Sequence, residues 1–269
     1  MSRETGEMTA PYDAVAPYFD RVYGAAYGGR QVDAEIVARV CEVFNPSTSS
    51  LLDLGSGTGS VASILSNRLR LNDVAGVEQS QGLIDVASEK LPDAEFVQGD
   101  ITNFNMGREF DAVTCLFDTI NHVRTEEGWQ RVFEGAAEHL KPGGVFMFDM
   151  VTKQGFDAVI NGANHTWRFD GGKTTDQWEA LGNDEYEGRL EIVDDADPDN
   201  PTVLSVTEKT FEESTVVASL NKVLDTKRTY DYHAMREHVL GEIYRDFDVT
   251  DQTGRIMVVA QKPLEPVSF

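Results

Sequence analysis

The chain has 269 residues, of which 46 are acidic and 23 basic, so that its formal net charge is -23. Binding to nucleic acid or to an anionic membrane surface is not expected, because phosphate contacts need clustered Lys and Arg residues. The two cysteines, Cys41 and Cys115, are far apart and lack metal-ligand spacing, so neither a disulfide nor a zinc site is predicted.

Two helices are predicted before the first strand. Residues 11–28 read as a helix that stops at Gly28 and Gly29. Residues 30–44 carry apolar side chains at helical spacing and predict a second helix.

A glycine-rich turn follows the first predicted strand. The apolar run 51–54 ends at Gly55, Gly57 and Gly59, and a helical pattern begins directly afterwards. Glycine allows positive φ angles and lets a ligand lie on the backbone, while the helix N-terminus offers unpaired N–H groups. Dinucleotides and S-adenosylmethionine both use such turns, but the dinucleotide pattern G-x-G-x-x-G needs its third glycine where Ser60 stands.

Acidic residues follow the next two predicted strands. The second strand ends at Glu78, and the third strand, over 94–98, runs into Asp100. A carboxylate at the end of the second strand can accept hydrogen bonds from ribose hydroxyls. Two more strands are predicted over 110–117 and 145–149. This alternation of strands and helices predicts a parallel sheet whose binding crevice lies at the carboxyl ends of the strands.

The pattern changes between about residues 160 and 229. Alternating segments separated by turn signals predict antiparallel strands over 165–170, 175–181, 187–193 and 203–211. The acidic stretch 194–201 is predicted to be an exposed turn, and no metal site is predicted there because the EF-hand order of ligands is missing.

The last part of the chain returns to an α/β pattern. A helix is predicted over 232–240, followed by strands over 242–247 and 255–260. These strands are expected to complete the main sheet.

From about residue 47 to 150 the chain resembles class I S-adenosylmethionine-dependent methyltransferases, whose first motif is a G-x-G-x-G turn preceded by an acid, here Asp53. Within that family it is most similar to small-molecule methyltransferases, including those that methylate amino sugars. The resemblance implies an α/β fold with a doubly wound, Rossmann-like sheet, mostly parallel with an antiparallel last strand, and an inserted antiparallel β cap. The domains would be a core with lid helices over 1–159, the cap over 160–229 and a C-terminal part over 230–269.

The resemblance also implies which residues bind S-adenosylmethionine. The first acid would hold the methionyl ammonium, the second the ribose and the third the adenine amino group, while aromatic residues of the N-terminal helix close over the cofactor. The cofactor-binding residues are expected to be Tyr18, Tyr23, Asp53, Gly55, Ser56, Gly57, Gly59, Glu78, Gln79, Asp100, Ile101 and Leu116.

We expect the residues that act on the substrate to lie in the loop after the fourth predicted strand. Asp118 and His122 are the candidate catalytic residues, and the imidazole suits a general base because its ordinary pKa lies near the working pH. Capping of a turn by Asp118 and packing of His122 are the local alternatives. Candidate substrate contacts are Asn121, Trp167, Tyr230 and His233, although aromatic side chains on strands more often belong to a core.

The predicted function is methyl transfer to a nitrogen or oxygen atom of a small molecule. An NAD-dependent oxidoreductase or epimerase and a non-catalytic S-adenosylmethionine-binding protein stay open as alternatives. No apolar run approaches the roughly 18–20 residues that a membrane span needs, and no signal peptide is evident, so a cytoplasmic protein is expected. A homodimer is compatible with the sequence. The identity of the methyl acceptor is left open at this point.

Overall fold

The computed structural model describes residues 11–27, 30–162, 165–238 and 253–264. Its helices are α1 (Phe19–Tyr27), α2 (Gln31–Phe44), α3 (Ser60–Leu69), α4 (Gln81–Lys90), α5 (Glu126–Glu138), α6 (Lys153–Ile160), α7 (Glu213–Leu220) and α8 (Tyr232–His238). Its strands are β1 (Ser50–Leu54), β2 (Asp73–Glu78), β3 (Glu95–Gln98), β4 (Phe110–Cys115), β5 (Leu140–Val151), β6 (His165–Phe169), β7 (Gly172–Gly182), β8 (Glu185–Asp194), β9 (Asp197–Lys209), β10 (Asp225–Asp231) and β11 (Arg255–Gln261). Within the described ranges, no helix is both long and apolar enough to cross a membrane.

Seven strands form the main sheet, in the order β10-β11-β5-β4-β1-β2-β3. The five strands β1 to β5 are parallel, whereas β11 runs antiparallel to both β5 and β10. The predicted α/β sheet, mostly parallel with an antiparallel last strand, is therefore confirmed. Because β1 to β5 are parallel, their carboxyl ends lie at one edge of the sheet. The buried strand β1 ends there at the glycine turn.

The second sheet is an antiparallel meander of β6, β7, β8 and β9. It ends at Lys209, whereas the cap was predicted to extend to residue 229. The residues that follow form α7 and β10, and β10 belongs to the main sheet. Helix α7 packs on α5, and β10 pairs with the buried apolar strand β11, whose free edge would otherwise leave backbone groups unpaired. The strand predicted over 242–247 lies outside the described residues.

The N-terminal segment differs from the single predicted helix. Pro11–Tyr18 is a 3-10 helix and α1 begins only at Phe19, because Pro17 has no N–H to donate within a continuous α-helix. Val15 and Val22 of this segment pack against Phe169, Ile192 and Leu204 of the second sheet. The segment therefore connects the two sheets and walls the space between them.

Candidate functional site

One cavity of about 930 Å³ begins at the carboxyl ends of β1, β2 and β4 and extends to the second sheet. Its walls are the glycine turn, the N-terminal segment, the loop after β4 and one face of β7 to β9. The space is large enough for a cofactor together with a small acceptor.

The glycine turn presents its backbone to this cavity. Gly55, Gly57 and Gly59 have φ angles of 72°, 54° and 66°, in the left-handed region that glycine adopts freely. A Cβ atom at Gly57 would meet only the Phe19 ring, at 3.8 Å, and Gly57 lines the cavity. A ligand can therefore lie directly against the backbone at this position.

Two buried carboxylates, those of Asp53 and Glu78, flank the turn. Asp53 Oδ1 accepts a hydrogen bond of 2.7 Å from the Thr114 hydroxyl, and burial raises the pKa of Asp53 to about 7. The two oxygens of Glu78 accept from the N–H groups of Gly57 at 2.9 Å and Ser80 at 3.0 Å, and burial also raises its pKa. Both carboxylates line the cavity and keep acceptor capacity for donors of a ligand.

Most of the other predicted cofactor residues border the same cavity. The lining residues among them are Tyr23, Gln79, Asp100, Ile101 and Leu116. Ser56 is also in the wall, and its buried Oγ has no hydrogen-bond partner among the described residues, so it is available to a ligand.

Tyr18, a predicted cofactor-binding residue, lies outside the cavity wall. Its hydroxyl donates to Asp194 of the second sheet at 3.1 Å, and the residue does not line the cavity. Phe19 and Tyr23, four residues apart and stacked with ring centroids 4.3 Å apart, lie on the cavity side together with Tyr12. Tyr12 therefore faces the site, whereas Tyr18 contacts the second sheet.

The loop after β4 is held by a buried carboxylate. Phe117 and Asp118 have positive φ angles, and their N–H groups donate to Asp149 at 2.6 and 3.2 Å. Burial raises the pKa of Asp149 to about 6, although Arg255 beside it acts in the opposite direction. Arg255 also forms an ion pair with Asp118. The Asp118 carboxylate is therefore already paired within the protein.

His122 lies in the cavity wall next to two groups from distant parts of the chain. Its Nε2 atom is 3.1 Å from the Tyr12 hydroxyl and 3.8 Å from Glu208 Oε1. Desolvation lowers the pKa of His122, while Asp118 opposes this shift. The imidazole is therefore neutral near pH 7 and able to accept a proton.

Of the four predicted substrate contacts, Trp167 and His233 line the cavity, whereas Asn121 and Tyr230 do not. Tyr230 is buried among the apolar residues on one face of the main sheet, away from the cavity. Asn121 is fully buried: its amide nitrogen donates to the carbonyl oxygens of Val151 and Lys209, and its oxygen accepts from the Val151 N–H. Asn121 therefore ties β5 to the end of β9.

Asn121→Ala is expected to lower the free energy of unfolding by about 2–3 kcal/mol, because buried backbone groups lose their partners. Urea unfolding measures this change. Asn161→Ala is the matched control: its amide bonds to one carbonyl on an exposed helix end, and less than about 0.5 kcal/mol is expected. Equal effects of the two substitutions would contradict the structural role of Asn121.

The site also contains residues that the sequence reasoning missed, chiefly Tyr12, Glu208 and Arg255. A signal for Glu208 existed, because strand alternation places it on the same face as the inward-facing Leu204 and Val206. Arg255 opens the last strand and carried no comparable signal. Over the part of the chain that the structure describes, no cluster of three or more His, Cys, Asp or Glu residues is arranged to hold a metal ion.

Comparison with known proteins identifies residues 51–144 as a match to the family model described as a methyltransferase domain. The chain is 36% identical over 132 residues to dTDP-3-amino-3,4,6-trideoxy-alpha-D-glucopyranose N,N-dimethyltransferase of Streptomyces venezuelae, covering 48% of this chain and 55% of that protein. It is 32% identical over 153 residues to dTDP-4-amino-2,3,4,6-tetradeoxy-D-glucose N,N-dimethyltransferase of Saccharopolyspora spinosa, covering 55% and 61%. The matches thus span little more than half the length of these curated relatives.

Solved structures agree over nearly the whole chain. An S-adenosylmethionine-dependent methyltransferase from Clostridium acetobutylicum superposes with a TM-score of 0.76 at 20% identity, covering 94% of this chain and all (100%) of that one. The sugar N-methyltransferase KedS8 from Streptoalloteichus gives a TM-score of 0.70 at 22% identity, covering 98% and 97%. At these identities the likeness establishes the fold, including the Rossmann-like sheet.

Proposed function

We propose that this chain, whose residues 51–144 match the methyltransferase domain model, transfers a methyl group from S-adenosylmethionine to the nitrogen of a small-molecule amine, with amino sugars as the leading acceptors. The observation that carries the proposal is the glycine turn with Asp53 and Glu78, which opens into the same cavity as His122. The two relatives compared above are named as methyltransferases of amino sugars on a nucleotide carrier.

The chain's residues fit this cofactor by their chemistry. Asp53 suits the methionyl ammonium, and Glu78 suits the ribose hydroxyls, because both are buried acceptors at the cavity wall. The unpartnered Ser56 hydroxyl suits the carboxylate end, because it can donate a hydrogen bond to it. Asp100 and Ile101 would contact the adenine. When bound, S-adenosylmethionine supplies an electrophilic methyl group.

The chain's own part in the reaction is to hold the acceptor amine and to receive its proton. An amine can act as a nucleophile only through a free nitrogen lone pair, so one proton has to leave the nitrogen. His122 receives that proton, because its lowered pKa keeps the imidazole neutral. Asp118, neutralised by Arg255, would shape the loop and help to position the acceptor.

Cytoplasmic location and a homodimer stay predictions from the sequence.

Calorimetric titration with S-adenosylhomocysteine tests the cofactor assignment, with NAD as the control ligand. Binding of the former alone is expected. The protein is then incubated with S-adenosylmethionine and an amino-sugar nucleotide, dTDP-3-amino-3,4,6-trideoxy-alpha-D-glucopyranose, which appears in the name of the first relative above. Products are identified by mass spectrometry. In the titration, binding heat with NAD but not with S-adenosylhomocysteine would overturn the proposal. In the incubation, a matched sugar nucleotide with a hydroxyl group in place of the amino group is expected to stay unmethylated.

A further inference from the structure

Glu208 is a buried acid with an unused acceptor atom. It lies on β9, its relative exposure is 2%, and it lines the cavity. Its Oε1 atom faces His122 at 3.8 Å, but no described residue donates a hydrogen bond to its Oε2 atom. A buried carboxylate oxygen without a donor is costly, and because Glu208 lines the cavity, a ligand bound there can supply the donor that the described residues do not.

The charges around Glu208 are not balanced among the residues that the structure describes. Besides the nearby His122, the groups that act on it are the carboxylates of Asp118 and Asp149 and the guanidinium of Arg255. Arg255 is already paired with both aspartates. Burial and the neighbouring acids raise the pKa of Glu208 well above its usual range, and the opposing effect of Arg255 does not cancel this shift.

We propose that Glu208 binds the amino group of the methyl acceptor, accepting a hydrogen bond from the ammonium or amine at Oε2 next to His122. This inference rests on the proposed function. A cationic or donor-rich amine would satisfy the unpaired oxygen and balance the local charge, whereas a hydroxyl group would supply one donor and no charge. Glu208 thereby selects nitrogen over oxygen acceptors, and its proximity to His122 places the amine beside the group that receives the proton.

Sinefungin is a probe that does not depend on knowing the acceptor. It is an S-adenosylmethionine analogue that carries a primary amine where the sulfonium bears its methyl group, so it presents an ammonium at the reaction centre. The ratio of the sinefungin and S-adenosylhomocysteine dissociation constants is measured by calorimetry for the wild type and for Glu208→Gln. The substitution is expected to reduce the relative affinity for sinefungin at least about tenfold, because a charge-assisted hydrogen bond is lost, while S-adenosylhomocysteine affinity is unchanged.

Glu185→Gln is the matched control. Glu185 is on the neighbouring strand, pairs with Lys209 and does not line the cavity, so neither dissociation constant should change. If Glu208→Gln does not fold, Glu208→Leu replaces it, because an apolar side chain of similar volume removes the buried acid at little cost to stability.

The outcomes separate the two proposals. An unchanged sinefungin preference in a folded Glu208 variant overturns the role of Glu208 while leaving the methyltransferase proposal intact. Failure of the wild type to bind S-adenosylhomocysteine overturns the proposed function itself. Loss of affinity for both ligands in the variant would assign Glu208 to the cofactor site and would also contradict the inference.

Discussion

Gly57→Val is expected to weaken S-adenosylhomocysteine binding at least about 100-fold while leaving the chain folded. The added side chain would enter the cavity, since the only atom that its Cβ would meet is on the Phe19 ring at 3.8 Å. A β-branched residue is also strained at a φ of 54°, at a cost of about 1–2 kcal/mol. Any backbone shift would displace the N–H that donates to Glu78. Calorimetry measures the affinity.

Gly107→Val separates the effect on the ligand from the effect on the backbone. Gly107 has a φ of 66°, an added Cβ there would meet nothing within 4 Å, and the residue is outside the cavity wall. The backbone strain is therefore matched, but the affinity for S-adenosylhomocysteine should stay at the wild-type value. Wild-type affinity in Gly57→Val would count against the whole assignment of the cofactor site.

His122→Ala is expected to lower kcat about 100-fold at saturating acceptor, the lower end of the usual contribution of a general base. The affinity for S-adenosylhomocysteine should not change, because the role is confined to the acceptor side. Added imidazole should restore part of the rate by entering the space that the side chain leaves. Steady-state kinetics with and without imidazole measure both effects.

The pH profile gives an independent test of the same residue. Desolvation lowers the pKa of His122 below its ordinary value of 6.5. The neutral, proton-accepting form therefore persists at pH 6.5, and kcat should fall only as the pH drops through the lowered value. His122→Asn should lack this acidic limb. A profile shared by the variant and the wild type would show that another group receives the proton.

Local features of the chain were predictable because their causes are local. The left-handed conformations at Gly55 and Gly57 follow from residue type, and the strand before them follows from a continuous apolar run. The acids at the ends of β1 and β2 both lie in the cavity wall, because parallel strands bring their carboxyl ends to one edge of the sheet.

Side-chain direction was harder to predict, because it depends on which face of an element packs. Tyr18 and Tyr12 belong to one aromatic segment, yet Tyr12 borders the cavity whereas Tyr18 faces the second sheet and donates to Asp194. Asn121 and His122 are adjacent in the chain, but one holds two strands together and the other faces the cavity.

The sequence by itself determined the alternating strands and helices between residues 51 and 150, the glycine turn and the acids beside it, because each is encoded within a short stretch of chain. Only the tertiary structure decided what meets His122. Tyr12 comes from the N-terminal segment and Glu208 from the second sheet, and both reach the imidazole through packing over long separations in the chain. Such meetings depend on how the two sheets and the N-terminal segment pack together, which no local pattern of residues specifies.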